Sequence, residues 1–182
     1  MKKYRGKIAY DRDTILRLSL ALSRTYRLLP RLLAWLTGFV MLLFSLRQGL
    51  SSAGSVGLLA AGCLLITSIN APARRRAKLS WNSIGGKPVA GSYSFGPSAF
   101  SFEHSGQSAD CPYHQILRLM EDGEYLYLCT DKCSAYMLEK SSVLPSCEEL
   151  RDFLSQQTGL HWKLVFSLMS FRLDLFSLFQ RK

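Results

Sequence analysis

Residues 28–46 read LLPRLLAWLTGFVMLLFSL, residues 50–69 read LSSAGSVGLLAAGCLLITSI, and only the tripeptide RQG separates them. The first block contains a single charged residue, Arg31, and the second contains none. At 1.5 Å per residue, helices of these lengths reach about 28–30 Å, which matches the hydrocarbon core of a bilayer. The short connection requires antiparallel helices, so the sequence predicts a two-helix transmembrane hairpin over residues 28–70.

Two other interpretations of these blocks fit the sequence less well. Buried helices of a soluble protein would rarely stay uncharged over 20 residues and then be followed by arginines. A cleaved signal peptide is disfavoured because residues 1–27, which are rich in polar and charged side chains, precede the first block. Small residues are frequent over 51–62, and such faces allow close helix packing in lipid, within the hairpin or between two copies.

The basic residues predict the orientation of the hairpin. Residues 1–31 carry nine basic and two acidic side chains, four more basic residues lie within 74–78, and the connection carries only Arg47. Because cytoplasmic loops are enriched in Lys and Arg, we expect both termini in the cytoplasm. Residues 79–182 contain nine basic and eleven acidic residues, so the net charge of +10 lies beside the membrane. A nucleic-acid-binding domain would carry that charge on its own surface, and we expect no nucleic-acid partner.

The N-terminal segment, residues 1–27, predicts a cytoplasmic strand followed by a juxtamembrane helix. The stretch RGKIAY at 5–10 is typical of a short strand, and Asp11 is suited to cap a helix over 12–26. That helix is either a spacer or an element docked on the cytoplasmic domain. Pro30 predicts a break or kink in front of the membrane helix.

Residues 79–160 predict a small β-rich cytoplasmic domain. Strands are predicted at 91–95, 99–104, 113–120, 124–129 and 134–139, with a less regular strand near Cys111. The connections contain turn residues, including the hairpin signal Asp-Gly, and are too short for parallel crossovers, so we expect an antiparallel meander. Ser146 and Glu149 form a capping box and Gly159 is a stop signal, which predicts a helix that covers the sheet.

The C-terminal segment, residues 161–182, is unusually apolar. Between 163 and 181 the polar residues recur at alternating steps of four and three, among Leu, Phe, Val and Met. On a helix this spacing produces a narrow polar stripe and a wide apolar face. Such a helix would lie in the membrane interface, pair with a partner helix, or cover the sheet.

A family resemblance lies in four stretches of the domain: SYSFGPSAFSFEHSG, YHQILRLMEDGEYLYL, YMLEKSSV and EELRDFLSQQTG. Over residues 92–160 the chain resembles the C-terminal domain of the YcxB-like family of bacterial membrane proteins. The resemblance implies a multi-pass protein of a bacterial cell membrane with a fold similar to pleckstrin-homology (PH) domains. In that fold, a bent antiparallel sheet or open barrel is plugged by a C-terminal helix. It implies no enzymatic activity, and the tail after Lys163 departs from it.

Four residues are spaced loosely like zinc ligands: Cys111, His114, Cys129 and Cys133. Pro112 lies within the first pair, and the second pair is divided between a predicted strand and a turn. The chain has five cysteines, an odd number at irregular spacing, and we expect free thiols rather than a metal site or a disulfide framework.

The acidic residues Glu121, Asp122 and Glu124 flank the predicted Asp-Gly turn. Clustered carboxylates are able to serve in acid–base chemistry or cation binding, but at a hairpin turn they are typical of a solvated loop. Glu139 and Lys140 are similarly expected at an exposed strand end. No residue grouping in the sequence predicts catalysis, a metal or a cofactor.

The basic residues Arg74, Arg75, Arg76 and Lys78 are the predicted contacts for anionic lipid headgroups, and the alternative is a stop-transfer and orientation signal. We expect a membrane-anchored, non-enzymatic module whose PH-like domain binds a protein partner or the membrane surface. The alternative is a structural or regulatory subunit of a larger membrane complex, for example a transporter accessory. It would associate with that complex, or with a second copy, through the small residues of 51–62.

Overall fold

The computed structural model describes residues 4–49, 52–104 and 106–165. These residues form an α+β structure of two compact units: a helical unit, Ile15–Gly85, and a sheet unit, Met1–Thr14 with Gly86–Lys182. The described helices are α1 (Arg12–Tyr26), α2 (Leu28–Gln48), α3 (Ala53–Ser68), α4 (Ala71–Ser83) and α5 (Cys147–Thr158). The described strands are β1 (Tyr4–Tyr10), β2 (Val89–Phe95), β3 (Ala99–His104), β4 (Gln107–Pro112), β5 (Arg118–Glu121), β6 (Tyr125–Cys129), β7 (Ala135–Glu139) and β8 (Trp162–Leu164).

The first sheet pairs its strands in the order β1-β2-β3-β4, and every pair is antiparallel. Its first strand comes from the N-terminal segment, so α1 to α4 are inserted between two neighbouring strands of one sheet. This corrects the domain predicted over 79–160, because the sheet starts at Tyr4 and residues 79–83 belong to α4. Pairing between β1 and β2 joins residues about 85 positions apart, which local sequence patterns do not reveal.

The second sheet has the order β7-β6-β5-β8, in which β8 pairs with β5 in parallel. The predicted helix over 161–182 is therefore wrong at its start, because Trp162 to Leu164 is a strand. The remainder of that prediction, residues 166–182, lies outside the described residues. The amide of Val165 continues the pairing by donating to the Glu121 carbonyl at 2.8 Å.

Helix α5 forms where the sequence predicts it and covers the sheet with its apolar face. Leu150 and Leu154 are 0% exposed, and the ring of Phe153 lies 5.3 Å from that of Tyr4. Gly159 ends the helix with a φ of 66°, a left-handed conformation that glycine adopts without strain. Ser146 is the N-cap residue, as predicted, but its side chain makes no capping hydrogen bond, so its half of the predicted capping box is not formed.

Two details of the predicted meander differ in the structure. Tyr113–Gln115 is a 3₁₀ turn rather than a strand, because the chain crosses there from the first sheet to the second. The Tyr113 hydroxyl anchors that crossing by donating to the Gly96 carbonyl at 2.8 Å. The predicted Asp-Gly turn is displaced by one residue, since the Asp122 amide donates to the Tyr125 carbonyl at 3.0 Å and leaves Gly123 and Glu124 as the two turn residues. The Asp122 side chain supports the turn by accepting the amides of Glu124 and Tyr125 at 2.9 and 2.8 Å.

In the helical unit, α2 and α3 pack against each other in antiparallel orientation, as predicted. Ser45 near the end of α2 donates to the Ser55 carbonyl near the start of α3, at 2.6 Å. Further from the connection, Gly38 faces Gly62, and a Cβ built on Gly62 would lie 2.9 Å from the Gly38 carbonyl oxygen. The two backbones can approach this closely only because both contact residues lack a side chain.

Among the described helices, α2 alone is long and apolar enough by itself to cross a membrane. An 18-residue stretch of α2 has a mean hydropathy of 1.7, and only 11% of that stretch is buried. Helix α3 has 16 residues and meets the same test only together with α4, from which it is bent by 41°. The second span predicted over 50–69 is therefore not confirmed. Helix α3 is shorter than that stretch, because Ser52 caps it by accepting the Ser55 amide at 3.2 Å. Pro30 lies in the first turn of α2, and the break comes before it, at Arg27.

Candidate membrane-surface site

Positive charge is concentrated in the helical unit. Residues 15–85 contain nine basic and no acidic residues, whereas the rest of the chain contains fourteen basic and thirteen acidic residues. Nearly all of the net charge of +10 therefore belongs to the unit that also carries the apolar helices.

Most of these cations lie at one end of the helix pair. Because α2 and α3 are antiparallel, the start of α2 and the end of α3 share the end opposite the RQG connection. We call the basic residues of that end the cationic collar: Arg24, Arg27, Arg31, Arg74, Arg75, Arg76 and Lys78. Only Arg47 lies at the other end, among the nine cations of the helical unit.

Arg31 connects the elements that carry the collar through side-chain hydrogen bonds. Its guanidinium donates to the Asn70 Oδ1 atom at 2.9 Å and to the Ser23 Oγ atom at 3.4 Å. Asn70 is the residue between α3 and α4, and its carbonyl accepts the Arg74 amide at 3.0 Å. The same charge that interrupts the apolar block of α2 thus joins α1, α2 and the α3–α4 break.

Helix α4, which is not among the elements predicted from the sequence, carries the predicted lipid contacts. Asn70 before it and Pro72 in its first turn are the usual signals of a helix start. Ala73 and Ala77, one turn apart, are buried. The predicted contacts lie away from these alanines: Arg74, Arg75 and Lys78 are exposed and Arg76 is half-buried. Leu79 is 63% exposed beside them.

The prediction of a solvated acidic cluster at the β5–β6 turn is confirmed for Glu124, which is exposed, but is wrong for Glu121. Glu121 is only 7% exposed, and its carboxylate accepts Lys140 Nζ at 2.9 Å and Arg151 Nη2 at 2.7 Å. Lys140 also donates to the Asp122 carbonyl at 2.6 Å, so it is not a free strand end. Both carboxylate oxygens are occupied by protein cations, which makes this group a structural link between β5 and α5.

The candidate zinc residues are separated by burial. Cys111 and Cys129 are buried, whereas His114 and Cys133 are exposed. The described part of the chain contains no group of three or more His, Cys, Asp or Glu residues placed to hold a metal ion. Burial raises the pKa of the Cys111 thiol, which keeps it protonated at neutral pH.

Comparison with models of protein families, with curated proteins and with solved structures finds no match for this chain. The features of this chain that bear on its function are therefore the apolar surface of α2, the cationic collar and the two sheets.

Proposed function

We propose that the protein is a membrane-anchored, non-enzymatic module of the YcxB-like type. In this proposal α2 forms one membrane span and the bent pair α3–α4 contributes the second, with both chain termini in the cytoplasm. The sheet unit is a PH-like domain that binds a protein partner or the membrane surface. Its strands followed by the covering helix α5 support that comparison.

The observation that carries the proposal is that α2 exposes its large apolar residues and buries small ones. The buried residues of α2 are Gly38 and Ser45, which are both small. Its large apolar side chains are exposed instead: Leu28, Leu29, Leu32, Leu33, Trp35, Leu36, Phe39, Val40, Leu43, Phe44 and Leu46. In water such a continuous apolar surface promotes aggregation, whereas in lipid it matches its solvent.

The cationic collar supports the orientation and the lipid contact. A basic residue at an anionic membrane surface contributes about 1 kcal/mol, so several collar residues together give a substantial preference for the cytoplasmic leaflet. Helix α3 rises about 24 Å over its 16 residues, which leaves its end near the headgroups. The 41° bend then directs α4 away from the axis of α3. Its exposed cations, Arg74, Arg75 and Lys78, would contact lipid phosphates there.

A subunit of a larger membrane complex is the second candidate, and one observation favours it. A Cβ built on Gly57 of α3 meets no described atom within 4 Å. By contrast, a Cβ built on Gly38 would meet atoms of α3, and one built on Gly62 would meet atoms of α2. Gly57 and its exposed neighbours Ala53 and Gly54 leave a small-residue surface that packing within the hairpin does not use. Replacing Gly57 by Leu would break an association with a partner helix without disturbing α2–α3 packing.

The topology is tested by labelling cysteines in intact cells with an impermeant maleimide. Cys133 is the suitable native reporter because it is exposed, whereas Cys129 is buried. Gln48→Cys places a second reporter at the exposed end of α2. The proposal expects labelling of the Gln48→Cys variant only, with Cys133 labelled after permeabilisation. Labelling of Cys133 in intact cells would show that the sheet unit lies outside the cytoplasm and would contradict the proposed orientation. Recovery of the chain in the soluble fraction would contradict the proposed membrane anchor.

A further inference from the structure

The outward face of the first sheet carries small polar residues bordered by charges. Along β1 and β2 the alternate side chains of Tyr4, Ile8, Tyr93 and Phe95 are buried, so their neighbours point outward. The strand register aligns the outward residues in two cross-strand rows. One row is Arg5, Ser94, Ser101 and Asp110, and the other is Lys7, Ser92, Glu103 and Ser108.

The charges in these rows are segregated by strand. Both cations, Arg5 and Lys7, are on β1, and the anions Glu103 and Asp110 are on β3 and β4. All four are exposed, and within the described ranges none of them takes part in an ion pair. An open depression of about 350 Å³ lies over the second row, with Lys7 and Glu103 among its lining residues. Within the described ranges these four charges are therefore exposed and have no oppositely charged partner.

We propose that this face binds the same face of a second copy, about a twofold axis parallel to the strands. Such an axis lays β1 of one copy over β4 of the other and keeps the rows in register. Arg5 then faces Asp110 of the second copy, and the reverse contact forms by symmetry. Lys7 lies one strand away from Glu103 of the second copy. A twofold axis across the strands would instead stack β1 on β1, cation on cation, so the charges select the first arrangement.

The size of the face indicates how strong this contact is. Four strands spaced about 4.8 Å apart, each about six residues long, cover roughly 15 Å by 20 Å. That area is below the ~800 Å² per partner of stable complexes, so the contact is weak between copies in free solution. Its strength rests on the proposed membrane anchor, which raises the effective concentration of the copies. The serines between the charges let the two sheets approach closely.

The test uses the full chain, expressed in one cell with two different affinity tags, crosslinked in the intact membranes and then co-purified in detergent, so that the contact is captured while the membrane still concentrates the copies. Arg5→Glu or Asp110→Lys, present in both copies, creates two like-charge contacts and should reduce co-purification at least tenfold. A pair made of one Arg5→Glu copy and one Asp110→Lys copy has two opposite-charge contacts and should recover it. Lys132→Glu, at an exposed turn of the second sheet, is the matched control and should change nothing.

Absence of co-purification of wild-type copies, or loss that the complementary pair does not restore, would overturn the proposal. Thermal melting of each variant in detergent separates repulsion from misfolding, and Lys7→Glu with Glu103→Lys supplies a second complementary pair. The membrane fraction of the same cells reports the anchor independently. Complementary charge dependence in a soluble chain would keep this interface and reject the proposed anchor.

Discussion

Replacing Glu121 by Gln should destabilise the sheet unit through the loss of a buried charge. The wild-type carboxylate sits at 9% side-chain exposure between Lys140 at 2.9 Å and Arg151 at 2.7 Å. Gln has nearly the same shape but offers one uncharged oxygen and an NH₂ group that faces a cation. Arg151 also stacks on Trp162 at 5.8 Å, and the Trp162 indole donates to the Arg151 carbonyl at 3.0 Å. Loss of the anion should therefore loosen α5 and β8 together.

The expected cost is about 2–3 kcal/mol in the free energy of unfolding. Removing one partner of a fully buried ion pair costs about 3–5 kcal/mol, because the remaining charge is left without compensation. Here the side chains of Lys140 and Arg151 are 25% and 36% exposed, so both regain water when Glu121 is lost. Lys140 also keeps its bond to the Asp122 carbonyl, which lowers the cost further.

The assay is urea unfolding of the full chain in detergent, followed by Trp162 fluorescence in a background with Trp35→Phe and Trp81→Phe. With a slope of about 1–1.5 kcal/mol per molar urea, the midpoint should fall by about 2 M. Asp152→Asn is the control, since Asp152 is an exposed acid of α5, the helix that carries Arg151, and the midpoint of this variant should stay close to wild type. Equal midpoints for Glu121→Gln and Asp152→Asn would refute the structural role of the ion-pair group.

Three further outcomes follow from the packing, the tyrosines and the collar. Gly62→Leu should lower the melting temperature of the helical unit in detergent, whereas Gly57→Leu should not, because a Cβ at Gly62 lies 2.9 Å from a backbone oxygen. Titration by tyrosinate absorbance should find a class of tyrosines that resists ionisation above pH 10, because burial raises their pKa. The contribution of these tyrosines to stability is full below pH 10 and is lost as the pH rises through their raised pKa values. Ionisation of all the tyrosines together, with a common midpoint near pH 10, would contradict this. The tyrosines of that class are Tyr10, Tyr93, Tyr113 and Tyr136. Changing residues 74–76 from Arg to Gln should weaken binding of a fluorescent anionic phospholipid to the detergent-solubilised chain by more than tenfold, at about 1 kcal/mol per residue, and leave a zwitterionic probe unaffected.

Local sequence patterns were sufficient for the elements whose signals lie within one turn or one strand. Helix α1 begins after Asp11, whose carboxylate accepts the Thr14 amide at 2.7 Å, and it ends at the predicted residue. Helix α5 and the strands β2, β3, β6 and β7 lie close to their predicted positions. The antiparallel packing of α2 and α3 was also predictable, because a three-residue connection permits no other arrangement.

The misses share one cause, which is a contact between distant residues. Glu121 looks like a solvated turn acid because its partners, Lys140 and Arg151, are 19 and 30 residues away. Strand β8 looks like the start of an apolar helix until β5 supplies its pairing edge. The basic stretch of α4 showed charge but no stripe of buried apolar residues, since the side chains it buries are alanines.

By itself, the sequence determined the apolar blocks, the concentration of cations beside them and the antiparallel strands of the sheet unit, because periodicity, charge and turn chemistry are local. Only the tertiary structure decided that β1 joins β2 across the inserted helices and that Glu121 is buried between two cations. It also decided that the two rows of the first sheet place cations on one strand and anions on others. Each of these depends on which distant segments meet, and that is set by how the whole chain buries its apolar surface.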